Sequence, residues 1–178
     1  MKIATLALLA LVTPLAGFAG EVRSKSTVVL GEIGLHCPYE ITRTDKAPDT
    51  EAGHIDRFDG DGQAIALTTT VPGILGLAFG VEIALAEGVT LPGAELVITH
   101  PPMGDAGITE QRWTPNLTQG DFALDLYRFD LPYEILMGTW TMSLMYDGQA
   151  QMRVEFDVVP PPAGMTLDSL CSGEQTLS

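Results

Sequence analysis

The chain has 178 residues, 46% of them hydrophobic and 18% charged, with 9 Lys+Arg against 23 Asp+Glu and a formal net charge of −14. That composition suits one domain with a proper core. So acidic a surface repels nucleic acid and anionic lipid; it reads as a solubility device, or as an acidic face for a basic or cationic partner.

Residues 1–19 read as a secretory signal peptide, with Lys2 at the positive end and an apolar stretch over 3–15 interrupted only by Thr and Pro. Gly17-Phe18-Ala19 offers small residues where a signal peptidase reads them, so the mature chain is expected to begin at Gly20. The apolar run is shorter than the roughly 20 residues of a spanning helix. No Cys follows it, which argues against a lipoprotein, and no later segment is apolar enough to cross a bilayer. The expectation is an exported, periplasmic protein with no membrane span, whose residues 20–178 form one domain.

Residues 27–36 predict a first strand, interrupted by Gly31 and Gly34, and 37–62 a polar connection. Strand character resumes over 63–71 and stops at Pro72-Gly73. Leu77, Phe79, Val81, Ile83 and Leu85 then alternate with Ala78, Gly80, Glu82 and Ala84, the pattern of a strand on a core. Residues 94–100 predict a short strand stopped by Pro101-Pro102, and 108–114 and 122–131 two more. Residues 132–138 are a connection, and the tail after Val159 opens on three prolines and is expected to run irregularly to Cys171.

The clearest element is a β-hairpin over 138–159. Trp140, Met142 and Leu144 alternate with Thr139, Thr141 and Ser143; on the return, Ala150, Met152, Val154, Phe156 and Val158 alternate with Gln151, Arg153, Glu155 and Asp157. A two-residue Asp147-Gly148 loop would pair Tyr146 with Gln149, and therefore Leu144 with Gln151 and Met142 with Arg153, mixing core and charged residues on one face. A three-residue loop, Tyr146-Asp147-Gly148, instead matches Leu144 with Ala150, Met142 with Met152 and Trp140 with Val154, and is the expected register. It assigns Met142 and Met152 to the core and leaves Met145, Tyr146 and Asp147 as an exposed tip able to make a small adhesive contact.

About eight short strands punctuated by Gly and Pro, with no helical period, indicate an all-β antiparallel β-sandwich. Immunoglobulin-like Greek-key wiring is expected, because Leu131-Pro132 through Gly138-x-Trp140 resembles the crossover before a penultimate sandwich strand. A membrane barrel would need apolar outward faces with aromatic girdles, whereas these faces carry Thr, Ser, Gln, Arg and Glu. Cys37 and Cys171 are the only cysteines, and export makes a structural disulfide the expectation.

Candidate chemistry is sparse. His100-Pro-Pro-Met103 pairs copper-type ligands, and His36 could add a third, but the same residues also read as a strand end and a packed Met. The acidic turn 56–62 fails the EF-hand register, since placing Asp59 and Asp61 at positions three and five puts Arg57 at one and Thr68 at twelve. Asn116-Leu-Thr118 fits the glycosylation triplet by chance. Neither Gly-x-Ser-x-Gly nor His-Glu-x-x-His occurs, and no carboxylate pair can be chosen among the acids without a cleft.

Val71-Pro72, Gly76-Leu-Ala-Phe-Gly-Val81, His100-Pro-Pro-Met-Gly104, Tyr127-Arg-Phe-Asp130, Tyr133-Glu134, Gly138-Thr-Trp-Thr141 and Phe156-Asp-Val158 together resemble a bacterial family catalogued as domain of unknown function 3859, with a weaker likeness around Cys37-Pro38. The resemblance implies an exported small β-domain and assigns no functional residue. The expected function is therefore that of a non-catalytic binding module of the cell envelope, without cofactor, whose partner is an envelope protein. The alternative is a periplasmic copper or calcium carrier using His100, Met103 and His36. A hydrolase would require an acidic cleft with displaced pKa values.

Overall fold

A computed structural model of the chain describes residues 20–58 and 62–172. The signal-peptide reading of 1–19 and the middle of the acidic turn, 59–61, lie outside the described residues. Eleven strands are formed among the rest: β1 (Val22–Ser24), β2 (Val28–His36), β3 (Ile41–Lys46), β4 (His54–Phe58), β5 (Thr70–Pro72), β6 (Ala78–Leu85), β7 (Glu95–Met103), β8 (Ile108–Trp113), β9 (Ala123–Arg128), β10 (Gly138–Tyr146) and β11 (Gln149–Val159). One short helix, α1 (Leu167–Cys171), closes the described chain.

The strands form the expected sandwich. One sheet runs β1-β11-β10-β7-β8, with β5 parallel to β11; the other runs β2-β6-β9. The chain crosses between sheets from β6 to β7, from β8 to β9 and from β9 to β10, which is Greek-key wiring. The segment before Trp140 is one of these crossovers, as the sequence implies. Between the sheets, Phe79, Phe129, Trp140 and Phe156 are fully buried, and Trp140 meets Phe79 edge-on at 5.8 Å. Each such side chain contributes about 1.5–3 kcal/mol by leaving water. Trp140 also donates its indole N–H to the Leu136 carbonyl at 2.8 Å, which satisfies its one polar group.

The hairpin departs from the expected register. Tyr146 pairs with Gln149 across a two-residue Asp147-Gly148 loop, and both loop residues have positive φ, 50° and 70°. These are the signs of a type I′ turn. The faces are nevertheless correct, because a bulge between Leu144 and Met145 carries Gln151 as the extra residue. Beyond it Leu144 pairs with Met152, Met142 with Val154 and Trp140 with Phe156, rather than the partners expected from a three-residue loop. The turn type and the pleat are reconciled by the bulge, which regular alternation does not anticipate. Met142 and Met152 are core residues. Tyr146 packs against the core and Met145 is half-buried, so of the three tip residues only Asp147 is exposed.

Three other expectations are corrected. The polar connection contains the β3–β4 hairpin, a third, two-stranded layer. Ion pairs and side-chain hydrogen bonds knit it together, Arg57 to Asp45 at 3.0 Å and Thr44 to Asp56 at 2.9 Å, so it carries no apolar period to read. Of residues 63–71, only 70 and 71 enter a strand, while Ala66 makes a lone bridge to Leu35. And β7 runs through Pro101-Pro102 to Met103, because a register shift between Thr99 and Met103 removes the need for their amides in the ladder. Cys37 and Cys171 form the expected disulfide, with Cα atoms 5.7 Å apart. It joins the end of β2 to α1, whose Leu167 and Leu170 pack on the core, so the approach to Cys171 is helical in place of the expected irregular run.

Candidate functional site

The β3–β4 hairpin lies across the open side of the sandwich, where edge strand β8 of one sheet faces edge strand β9 of the other. Backbone and side-chain bonds hold it there. The Arg112 amide donates to the Asp49 carbonyl at 3.1 Å, the Glu51 amide to Gln111 Oε1 at 2.8 Å and Arg57 to the Thr114 carbonyl at 3.3 Å. On the β9 side, Arg128 reaches Asp56 at 3.3 Å and stacks over Tyr39 at 5.1 Å. Between hairpin and edges is a cleft of about 340 Å³, within the range of small-ligand sites. A larger hollow of about 510 Å³ beside Leu91 and Leu117 is lined by no ionisable side chain.

Strand geometry decides which side chains reach the cleft. Phe129 is in the core, and with a period of two this turns Asp125 and Tyr127 inward as well. On β8 the same alternation turns Gln111 and Trp113 toward them. Gly80 on β6 permits the approach: a Cβ there would stand 2.0 Å from the Asp125 carbonyl oxygen.

Asp125 is 5% exposed. Its Oδ1 accepts from the Trp113 indole N–H at 3.2 Å, while its Oδ2 is buried with no hydrogen-bond partner. Burial pushes the carboxyl up from 3.8 to about 6, opposed by the Trp113 bond and by the Arg57 charge. A buried carboxylate oxygen without a donor is costly, and native interiors leave few such atoms unmatched. Glu134 is also raised by burial, but it is fully engaged: Oε2 accepts from the amides of Asp130 at 2.6 Å and Leu131 at 2.7 Å, and Oε1 accepts from the Tyr127 hydroxyl at 3.4 Å.

His100 and Met103 do come together, beneath the cleft. His100 Nδ1 donates to the Pro101 carbonyl at 2.8 Å, so Nε2 is the acceptor for Gln111 Nε2 at 3.1 Å. Burial holds this imidazole below its usual pKa and neutral. Met103 Sδ stands 3.8 Å from the Tyr127 hydroxyl and 4.0 Å from Gln111 Nε2. The two potential ligands thus already serve a neutral polar network. His36 is elsewhere, on β2 of the other sheet, where Nδ1 donates to the Gly62 carbonyl and Nε2 is buried without a partner. Among the described residues no group of three or more His, Cys, Asp or Glu is placed to hold an ion.

Of the cleft's two carboxyls with raised pKa, Asp125 is the one with an unpartnered oxygen. The arrangement suits recognition: a polar floor of Asp125, Gln111 and Tyr127, with aromatic walls from Tyr39, Phe58, Trp113 and the half-exposed Phe122. None of the floor residues stands out in the sequence. The one available signal is that Asp125 shares its strand face with Tyr127 and Phe129, an acid on an inward face.

Among curated proteins none matches the chain. A crystal structure of an immunoglobulin-like protein from Pseudomonas aeruginosa is similar with a TM-score of 0.51 at 20% identity, covering 80% of this chain and 100% of that one. At that identity the likeness speaks to the fold alone, and it agrees with the immunoglobulin-like wiring. The family model described as Domain of unknown function (DUF3859) matches residues 24–158, which include β2 to β10 and β11 as far as Val158, with the β3–β4 hairpin and every residue of the cleft floor, and the chain belongs to that family.

Proposed function

We propose that the protein is an exported, non-catalytic immunoglobulin-like module of the bacterial envelope that acts by binding, in the periplasm, through the cleft between the β3–β4 hairpin and the β8 and β9 edges. The observation that carries this reading is Asp125: a buried carboxylate with one oxygen unpartnered, held in a built cleft. Retaining such a group costs stability, and a ligand that satisfies it offsets that cost. Export rests on the signal-peptide pattern of 1–19, and the disulfide is consistent with an oxidising compartment. The described residues contain no helix long and apolar enough to cross a membrane.

The test is retention of an envelope component on immobilised mature protein, compared with the double variant Phe122→Ala/Asp125→Asn. Retention by the wild type alone, with the component recovered at unchanged mass, is expected. Equal retention by both proteins, or recovery of a chemically altered component, would overturn the reading.

A further inference from the structure

The charge pattern of the cleft identifies what it takes. Four acids line it, Asp56, Asp125, Asp130 and Glu134, against two arginines. Both arginines are already engaged, Arg128 by Asp56 and Asp130 and Arg57 by Asp45 and the Thr114 carbonyl. Neither arginine forms a hydrogen bond or ion pair with Asp125, on which Arg57 acts only as a more distant charge, and Asp125 Oδ2 lacks a donor. An anionic ligand would meet this surplus of acid inside a chain of net charge −14. A neutral hydroxyl could donate one bond but would leave the charge uncompensated.

We infer that the cleft binds an organic cation, a primary ammonium on a short apolar stem, with the ammonium donating to Asp125 Oδ2. This rests on the binding function proposed above and specifies its ligand. An ammonium has donors to spare for the carboxylate and carries the compensating charge. The stem would lie along Phe122, which is 49% exposed, and Trp113 and Phe58 line the same space. The aromatic faces add attraction for the cation itself. Two sources share this chemistry: a lysine side chain on a partner polypeptide, and a free alkyl diamine.

Isothermal titration of the mature protein at pH 7.5 uses Nα-acetyl-lysine methylamide and cadaverine as probes, with the Nε-acetylated lysine derivative as neutral control. Saturable binding of at least one cation is expected, with no binding of the neutral control. Asp125→Asn should weaken it about ten- to hundred-fold, the loss of a charge-assisted bond. Phe122→Ala, at an exposed position that cannot disturb the core, should weaken it about three-fold or more. Preference for the lysine derivative assigns the source to a polypeptide, and preference for cadaverine to a free amine. Absence of cation binding, equal binding of the neutral control, or indifference to Asp125→Asn overturns the inference. In those cases, envelope retention that still depends on the cleft and is not competed by the lysine probe would leave the binding function standing with a different ligand.

Discussion

Trp113 and Asp125 join the two sheets at their open side: the indole N–H of one edge strand donates 3.2 Å across the gap to the carboxylate of the other. The bond fixes one carboxylate oxygen and leaves the second buried and unmatched. That half-satisfied acid couples the stability of the fold to the occupancy of the cleft, and a bound donor should stabilise the protein by mass action.

The folded-state pKa of Asp125 lies above its unfolded value, at about 6 against 3.8. The folded state therefore binds more protons between those values, and this group's contribution to stability falls as pH rises through them. Above pH 6 the residual cost is on the order of 3 kcal/mol. Asp125→Asn should raise stability at pH 7 by about 1–3 kcal/mol and leave it nearly unchanged at pH 3.5. His36 and His100, both lowered by burial, act oppositely below pH 6.5, so the difference between wild type and variant is the quantity to follow. Urea denaturation of both proteins at a series of pH values measures it, and an equal difference at every pH would contradict the assignment.

The indole protons offer a local check. With only two tryptophans, the Trp113 N–H resonance should titrate near pH 6 as its acceptor protonates, and Asp125→Asn should abolish that titration. Trp140, bonded to a backbone carbonyl, supplies the reference signal.

The Cys37–Cys171 bridge spans 134 residues and should contribute about 4–5 kcal/mol by restricting the unfolded chain. The paired Cys37→Ala/Cys171→Ala variant should lose that amount in chemical denaturation. A loss below about 1 kcal/mol would mean that Leu167 and Leu170 hold α1 in place unaided.

The hairpin turn gives a test of register. Gly148→Ala places a Cβ at φ 70° and should cost about 1 kcal/mol, and Asp147→Gly should cost less, since glycine adopts its φ of 50° freely. A three-residue loop would leave Asp147 in a right-handed turn, where glycine should destabilise; thermal melts of the two variants distinguish the cases.

Export is read most directly from the mature mass. The secreted protein should begin at Gly20 and carry the disulfide, visible as a two-proton mass increase on reduction. A chain retaining Lys2 or a free thiol would exclude this processing.

Much of the fold follows from local pattern. Strict alternation in β6, β10 and β11 specifies which face is buried, and burying those faces requires a second layer, so a sandwich is legible without coordinates. The bulge at Gln151 is not legible. It is chosen by competition between a favourable Asp-Gly turn and the pleat, and the extra residue is stabilised by contacts far away in sequence: Gln151 Oε1 accepts from the Thr27 hydroxyl at 3.1 Å and its carbonyl from the Lys25 amide at 2.7 Å. The β3–β4 hairpin is silent for a related reason, since charged cross-strand pairs leave no apolar period.

Composition and periodicity by themselves determined an acidic, all-β domain with Trp140 at its centre and Cys37 available to Cys171, because burial depends on residue type and spacing. The cleft was decided only by tertiary structure. Asp125 is one of 23 acids in the sequence. It becomes distinctive when Gly80 lets β9 close on β6, Trp113 takes one of its oxygens, and the hairpin covers the edge, because an electrostatic environment is set by neighbours in space.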